Sequence, residues 1–332
     1  MYLRGLGVYL PRGRIHSREI AERSGLPEWV VREKLGILEK PVPGPEDHPA
    51  QMALWAAEKA LEEARVPRDR VGAVLSIVEE HKDYPVWATA PYLAHRLGLP
   101  GGLGMDLNQK CASFMGALEV ARGLFATRKD LEHLLIAGGY RNGDLVDYRD
   151  EAVRFMYDLA PGGAAALVSR EGPGLRVLGL AHRMDPSLAL MVKVPVGGTR
   201  APLRPETLGE YRLRVEDPAY MKARLDATSL PTFKAVVEEA LAEAGYTLRD
   251  LDFLGVLHMK PSAHRGLLEA LGLSEAQSLY LDRHGHLGQL DPILILDLAR
   301  KEGRVRPGSL IGLVAAGVGY FYGAAVLRWE EG

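Results

Sequence analysis

Apolar residues recur along this chain at two periods, and the two alternate. Gly5 to Leu10 and Val71 to Val78 are short, nearly continuous apolar runs of strand length. Between them Ser17 to Ile20 reads as a helix start with Ser17 as cap, and Pro27 to Lys34 as a second short helix. The Pro/Gly-rich run Val42 to Asp47 is a loop, followed by an amphipathic helix from about Ala50 to Ala64. Met105 to Leu107 reads as the end of a buried strand, and Ala112 to Ala126 as the helix after it. Apolar strands alternating with helices predict an α/β protein whose sheet is covered on both faces.

The pattern then returns. The helix Ala57 to Ala64, the pair Arg68-Asp69 and the strand Ala73 to Val78 reappear as Val237 to Ala244, Arg249-Asp250 and Phe253 to Leu257. Helix Ala117 to Arg122 matches Ile295 to Arg300, and strand Leu134 to Gly139 matches Leu310 to Ala315. Gly163 to Val168 pairs with Gly323 to Leu327. Four matches in one order predict a duplicated α/β unit, with halves 1–172 and 173–332 related by a pseudo-twofold. Equivalent loops of the halves should then meet at a shared site. The Pro-, Gly- and Arg-rich stretch from Asp185 to Tyr220 has no counterpart in the first half and reads as an insertion able to cover that site.

Composition narrows the chemistry. A formal net charge of -2 without a Lys/Arg block gives no reason to expect a nucleic-acid partner. No apolar run reaches membrane-spanning length and the amino terminus lacks a secretory pattern, so a cytoplasmic protein is expected. The single cysteine excludes an internal disulfide framework, and the absence of CxxC or HxxxH spacing argues against a metal site. That cysteine, Cys111, falls at or just before the first turn of a helix, where unpaired amides and the helix dipole favour thiolate.

The repeat supplies partners for it. The loop holding Cys111 corresponds to Leu281 to Gly288, which brings His284 and His286 forward; the ends of two equivalent strands carry Glu79 and His258. Imidazoles near a sulfur stabilise thiolate, and their N–H groups can hold a thioester oxygen as charge develops on it. Glu79 in an apolar site would have a raised pKa and could move a proton near neutral pH.

These residues resemble a known family. The runs Gly7-Val8-Tyr9-Leu10-Pro11, Glu28-Trp29-Val30-Val31, the Cys111 elbow, Leu281-Asp282-Arg283-His284-Gly285, Arg306-Pro307-Gly308 and Gly317 to Gly323 are similar to the thiolase superfamily, and within it to the β-ketoacyl-acyl-carrier-protein synthase III family. The resemblance covers essentially the whole chain. It implies a thiolase-like duplicated fold layered α-β-α-β-α, and an acyltransferase in which Cys111 takes an acyl group from acyl-CoA. His258 and a second residue would then stabilise the enolate of a malonyl thioester, carried on acyl carrier protein or CoA, in a Claisen-type condensation.

That second residue is usually asparagine in the family, and here it is His286. Met259-Lys260-Pro261 replaces the family's QAN run, and Val318 interrupts a glycine-rich triplet whose backbone helps form the oxyanion hole together with Cys111. Trp29, Arg32 and Arg265 match residues that bind CoA. No cofactor is implied beyond the CoA thioester as substrate. A homodimer is implied, with Leu134 to Gly138 and the residues before Cys111 able to form the pairing. Two alternatives stand beside this reading. Glu79 resembles the general acid/base of the hydroxymethylglutaryl-CoA synthases, which condense without decarboxylation; and the altered motifs also fit a non-condensing acyl-CoA-binding or partner protein.

Overall fold

The computed structural model describes residues 1–331. Its strands are β1 (Tyr2–Tyr9), β2 (Gly13–His16), β3 (Glu39–Val42), β4 (Val71–Ser76), β5 (Leu103–Asp106), β6 (His133–Tyr140), β7 (Gly162–Ser169), β8 (Gly174–Met184), β9 (Val192–Lys193), β10 (Arg214–Val215), β11 (Phe253–Val256), β12 (Leu310–Gly317) and β13 (Phe321–Glu330). Its α-helices are α1 (Ser17–Ser24), α2 (Pro49–Ala64), α3 (Thr89–Leu97), α4 (Ser113–Thr127), α5 (Pro218–Ala244), α6 (Pro261–Ala270) and α7 (Asp291–Lys301). The helix expected at Pro27 to Lys34 is a short turn that winds as a π-helix over Val30–Lys34. At α1 the cap is His16 rather than Ser17, its amide bonded to Glu19 Oε2 at 3.0 Å.

The duplication is visible in strand order. A nine-stranded sheet runs β11-β12-β13-β8-β1-β7-β6-β4-β5. Its first-half portion pairs β1 with β7 and β7 with β6 antiparallel, and β6 with β4 parallel. The second half repeats this: β8 pairs with β13 and β13 with β12 antiparallel, and β12 with β11 parallel. A parallel bridge from Leu254 to Ser278 stands where β5 lies in the first half. Within this sheet the two halves are joined where Tyr2 and Leu3 of β1 meet Arg176 and Leu175 of β8. Residues 172 and 173 lie in the turn between β7 and β8.

Helices complete five layers. α2 lies on β1, β6 and β7; α5 lies on β8, β12 and β13; α4 and α7 sit between, each touching strands of both halves. The outer helices approach their sheets through glycine. A Cβ on Gly5 of β1 would fall 2.2 Å from the Ala60 carbonyl of α2, and one on Gly179 of β8 would fall 2.0 Å from the Ala240 carbonyl of α5. Only glycine allows that backbone-on-backbone contact, and it recurs at equivalent places. The middle helices are the most deeply buried, with Phe114, Met115, Ala117 and Leu118 of α4 and Ile293, Leu294, Ile295 and Leu296 of α7 at 0 or 1% exposure.

Two expectations change. The strand carrying Met105 is not buried: β5 is the sheet's outer strand, with Gly104, Met105 and Asp106 exposed. Leu134 to Gly138 lies in β6, hydrogen-bonded on both sides by β4 and β7, so it has no free edge for another chain. Among the described residues no helix is long and apolar enough to cross a membrane. The stretch after β8 holds the two-residue pair β9–β10 and leans on residues 142–156: the Leu213 amide donates to Leu145 O at 2.8 Å, and Arg214 pairs with Asp150 at 2.9 Å.

Candidate active site

The loop from β5 turns sharply into α4 and carries Cys111. Lys110 adopts φ +52°, a conformation that non-glycine residues rarely accept, and it directs the next residue inward. Ser113 locks the turn, receiving the Gln109 amide at 2.8 Å and donating to Lys110 O at 2.6 Å. The thiol is buried, at 8% exposure. Burial pushes its pKa up, while His286 opposes through its charge and a hydrogen bond. The dipole-lowered thiolate expected from the helix start is therefore not what the resting site favours; desolvation outweighs it.

His286 lies in the turn between Leu281 and α7. Its Nδ1 stands 2.6 Å from Asp291 Oδ2, the carboxylate that opens α7 and is fully buried. Burial disfavours the imidazolium, but the charges of Asp291 and the Cys111 sulfur outweigh it and hold His286 well above its ordinary 6.5. Thiol and imidazole are coupled, and the Asp291 carboxylate steadies the ring whenever it takes up the thiol proton. The second oxygen of Asp291 receives the Leu287 amide at 2.7 Å, which fixes the carboxylate.

His258 follows β11 and is also buried. Its amide donates to Asp291 Oδ2 at 2.8 Å, so one carboxylate ties both histidines. The His258 ring, however, is engaged at both nitrogens: Nδ1 with Asp158 Oδ2 at 2.6 Å, and Nε2 with Gly36 O at 3.1 Å. Both ring nitrogens thus have acceptors other than the sulfur. His284, the other candidate of that loop, is half-buried, and burial and Arg14 lower its pKa; it takes no part.

Glu79 is buried at 4% exposure, not solvated beside Glu80. Asn142 donates to its Oε2 at 2.8 Å, and Oε1 is buried with no hydrogen-bond partner among the described residues. Burial pushes this carboxyl up against the opposing Lys110 and Asn142. Glu79 and His286 both act on the ionisation of Cys111, and His286 acts on that of Glu79, so the three groups lie close together. Tyr140 adjoins them. Its ring centroid is 6.4 Å from that of His286, and burial with the nearby Cys111 and Glu79 charges keeps the phenol protonated.

The glycine-rich loop after β12 closes over Cys111. A Cβ on Gly317 would lie 2.8 Å from the Cys111 nitrogen and 2.5 Å from Gln109 O, so the peptide leading to Val318 rests against the Cys111 amide. Arg32 and Arg265 come together on the surface, lining a groove of about 400 Å³ with Glu33, Lys34, Gly36 and Tyr280. Trp29 stands half-exposed in the same helical stretch as Arg32, without lining that groove.

Sequence reasoning missed Asp158, Asp291, Asn142 and Tyr140. Asp291 carried a signal, since an acid before proline five residues after His286 marks a helix start. Asp158 did too, as a lone acid in the apolar run Met156 to Ala160. Asn142 and Tyr140 had none, because only the fold brings the end of β6 to the end of β4.

A buried cysteine at the head of a central helix, with histidines from the second half of a duplicated five-layer fold, defines the condensing enzymes of the thiolase superfamily. Comparison with known proteins agrees. The profile of 3-oxoacyl-[acyl-carrier-protein] synthase III matches residues 105–186 and that of its C-terminal part residues 241–329, and the chain belongs to this family. It is 29% identical to a 3-oxopimeloyl-[acyl-carrier-protein] synthase of Rhodothermus marinus, over 98% of this chain and 92% of the relative. It is also 29% identical to a beta-ketoacyl-[acyl-carrier-protein] synthase III of Rhizorhabdus wittichii, over 98% of each. The crystal structure of a beta-ketoacyl-[acyl-carrier-protein] synthase III from Thermus thermophilus shares the fold, with TM-score 0.85, 24% identity and full coverage of both chains.

Proposed function

We propose that this protein is an acyltransferase that joins an acyl-CoA to a malonyl thioester through a Cys111 acyl-enzyme. The observation that carries the reading is the buried Cys111–His286–Asp291 relay. As sulfur attacks the thioester carbonyl, His286 takes the thiol proton. It returns that proton to the CoA sulfur as the old C–S bond breaks. The Cys111 and Val318 amides hold the carbonyl oxygen as it gains charge. In the second half-reaction the malonyl thioester loses carbon dioxide. The electron pair of the broken C–C bond passes into an enolate, whose carbon attacks the acyl-enzyme carbonyl and expels the Cys111 thiolate. His286, once Nε2 has taken up a proton from solvent, and His258 stabilise the enolate oxygen; for His258 this means exchanging the Gly36 carbonyl for the substrate at Nε2.

The groove at Arg32 and Arg265 is the place for the CoA phosphates, with Trp29 beside it for the adenine. Acyl carrier protein is the bearer we assign to the malonyl group, because the relatives' names put their ketoacyl products on that carrier. A second copy of the chain would pair along β5, the sheet edge next to the Cys111 loop. Sedimentation should give a dimer, and Met105→Asp should weaken it.

Glu79 supports a second reading. A buried carboxyl with a raised pKa and an unpartnered oxygen suits abstraction of a proton from an acyl thioester, which gives the same enolate without carbon dioxide loss. Intact-protein mass after incubation with acetyl-CoA should show one acetyl adduct, absent in Cys111→Ala. Without an adduct in the unmodified chain both readings fail. Carbon dioxide release from malonyl-CoA then separates them.

A further inference from the structure

Lys40 of β3 is buried at 2% exposure, a place where an ammonium is costly unless it does something there. Its Nζ donates to Tyr157 O and to Leu159 O, both at 2.6 Å, and stands 5.5 Å from the Tyr148 ring centre. Those two carbonyls flank Asp158, the residue whose carboxylate meets His258 Nδ1 at 2.6 Å. The same strap also holds His286: the His286 amide donates to Asp158 O and the Ala160 amide to His286 O, each at 2.9 Å. Gly285 is pressed into the angle between them, since a Cβ there would lie 2.4 Å from Asp158 O and 3.1 Å from Lys40 Cβ. Gly36, whose carbonyl meets His258 Nε2, lies four residues earlier on the segment that leads to Lys40.

Resting on the cysteine–histidine reading above, we infer that Lys40 is a positioning residue for the condensation. Its ammonium clamps residues 157–159 so that Asp158 faces His258 and the strap holds the His286 turn in place. Two donations on alternate carbonyls give the strap one register, and the nearby charge favours Asp158 as carboxylate. Burial pushes that carboxyl up, but His258, His286 and Lys40 together hold it below its ordinary value. Lys40 touches neither the sulfur nor the substrate path; it acts through Asp158.

The test compares Lys40→Met, Lys40→Arg, Asp158→Asn and the Lys40→Met/Asp158→Asn double variant of the full chain. Lys40→Met should lower kcat for carbon dioxide release from malonyl-CoA roughly 10- to 100-fold, with KM little changed. Lys40→Arg, which keeps two donors, should recover most of it. The double variant should be no slower than Asp158→Asn alone, because both changes break one chain of contacts. Losses that multiply, or Lys40→Met turning over normally per folded molecule while melting earlier, would overturn the inference. A second readout needs no activity: the proton between His258 Nδ1 and Asp158 should give a far-downfield NMR signal that Lys40→Met shifts or broadens. An unchanged signal sinks the Lys40 role, whereas a changed signal in a chain that never acylates would sink only the functional reading.

Discussion

His286 Nδ1 lies 2.6 Å from Asp291 Oδ2, and the partnership sets what the imidazole can do. With Nδ1 committed to the carboxylate, Nε2 is the nitrogen left for the thiol, and the neighbouring negative charge steadies the ring when it takes the proton. Asp291 comes from the head of α7, whose counterpart α4 bears Cys111 just before its own head. The two central helices of the duplicated fold thus deliver the cysteine and the carboxylate that holds the imidazole from equivalent places.

Asp291→Asn should therefore slow acylation by about 10²- to 10⁴-fold, the range a positioned acid–base group supplies. It should also move the pH dependence of Cys111 alkylation by iodoacetamide to higher pH, because the imidazolium loses the charge that sustains it. The stability sign follows from His286, whose folded pKa is raised. Its contribution is full below 6.5 and is lost as pH rises through the folded value, and Asp291→Asn should flatten that slope in denaturant titrations. An alkylation profile identical to the parent's would refute the relay.

Glu79→Gln distinguishes the two condensation readings. If Glu79 abstracts a proton, the variant should lose about 10²-fold or more in condensation; if decarboxylation drives the reaction, carbon dioxide release should fall by less than about 10-fold. Its pH signature is separate. Glu79 is raised above 4.5 in the fold, so the native state holds a proton that the unfolded chain releases, and stability falls as pH rises from 4.5 through the folded value. Relative to the parent, Glu79→Gln should gain stability with rising pH across that window. A constant difference by thermal melts from pH 4 to 8 would contradict the raised carboxyl.

Gly317→Ala should place a methyl 2.8 Å from the Cys111 nitrogen and 2.5 Å from Gln109 O. Forcing the loops apart should cost about 1–3 kcal/mol of stability and about 10²- to 10³-fold in acylation, the worth of one oxyanion-hole donor. Gly266→Ala on α6, which meets open space, is the control and should be neutral or slightly stabilising. Equal acylation rates in the two variants would remove the glycine loop from the site.

Arg32→Glu and Arg265→Glu should each raise KM for acetyl-CoA about 10-fold at low salt, and less at high salt, while leaving kcat near the parent's. Acetyl-N-acetylcysteamine, which lacks the nucleotide, should be indifferent to both. If it is affected equally, the groove does not hold the nucleotide.

The sequence was most informative where chemistry and periodicity coincide. The lone Cys111, set between an apolar run and a helical one, was legible because strand and helix periods differ and a reactive thiol needs such a junction. The duplication was legible because both halves solve the same packing problem with the same pattern, down to Gly5 and Gly179 under their outer helices. Glu79, His258 and His286 followed from superposing the repeats.

Tertiary structure decided the rest. That β5 and not Leu134 to Gly138 forms the sheet edge depends on strand order, which pairing energies set across the whole sheet rather than within one strand. That the thiol is raised, and that His258 spends Nε2 on Gly36 O, depends on desolvation and on segments more than two hundred residues apart meeting. Residue type and spacing therefore named the candidate groups. Their protonation and orientation come from burial and from the carboxylates Asp158 and Asp291, whose roles exist only once the two halves close on one another.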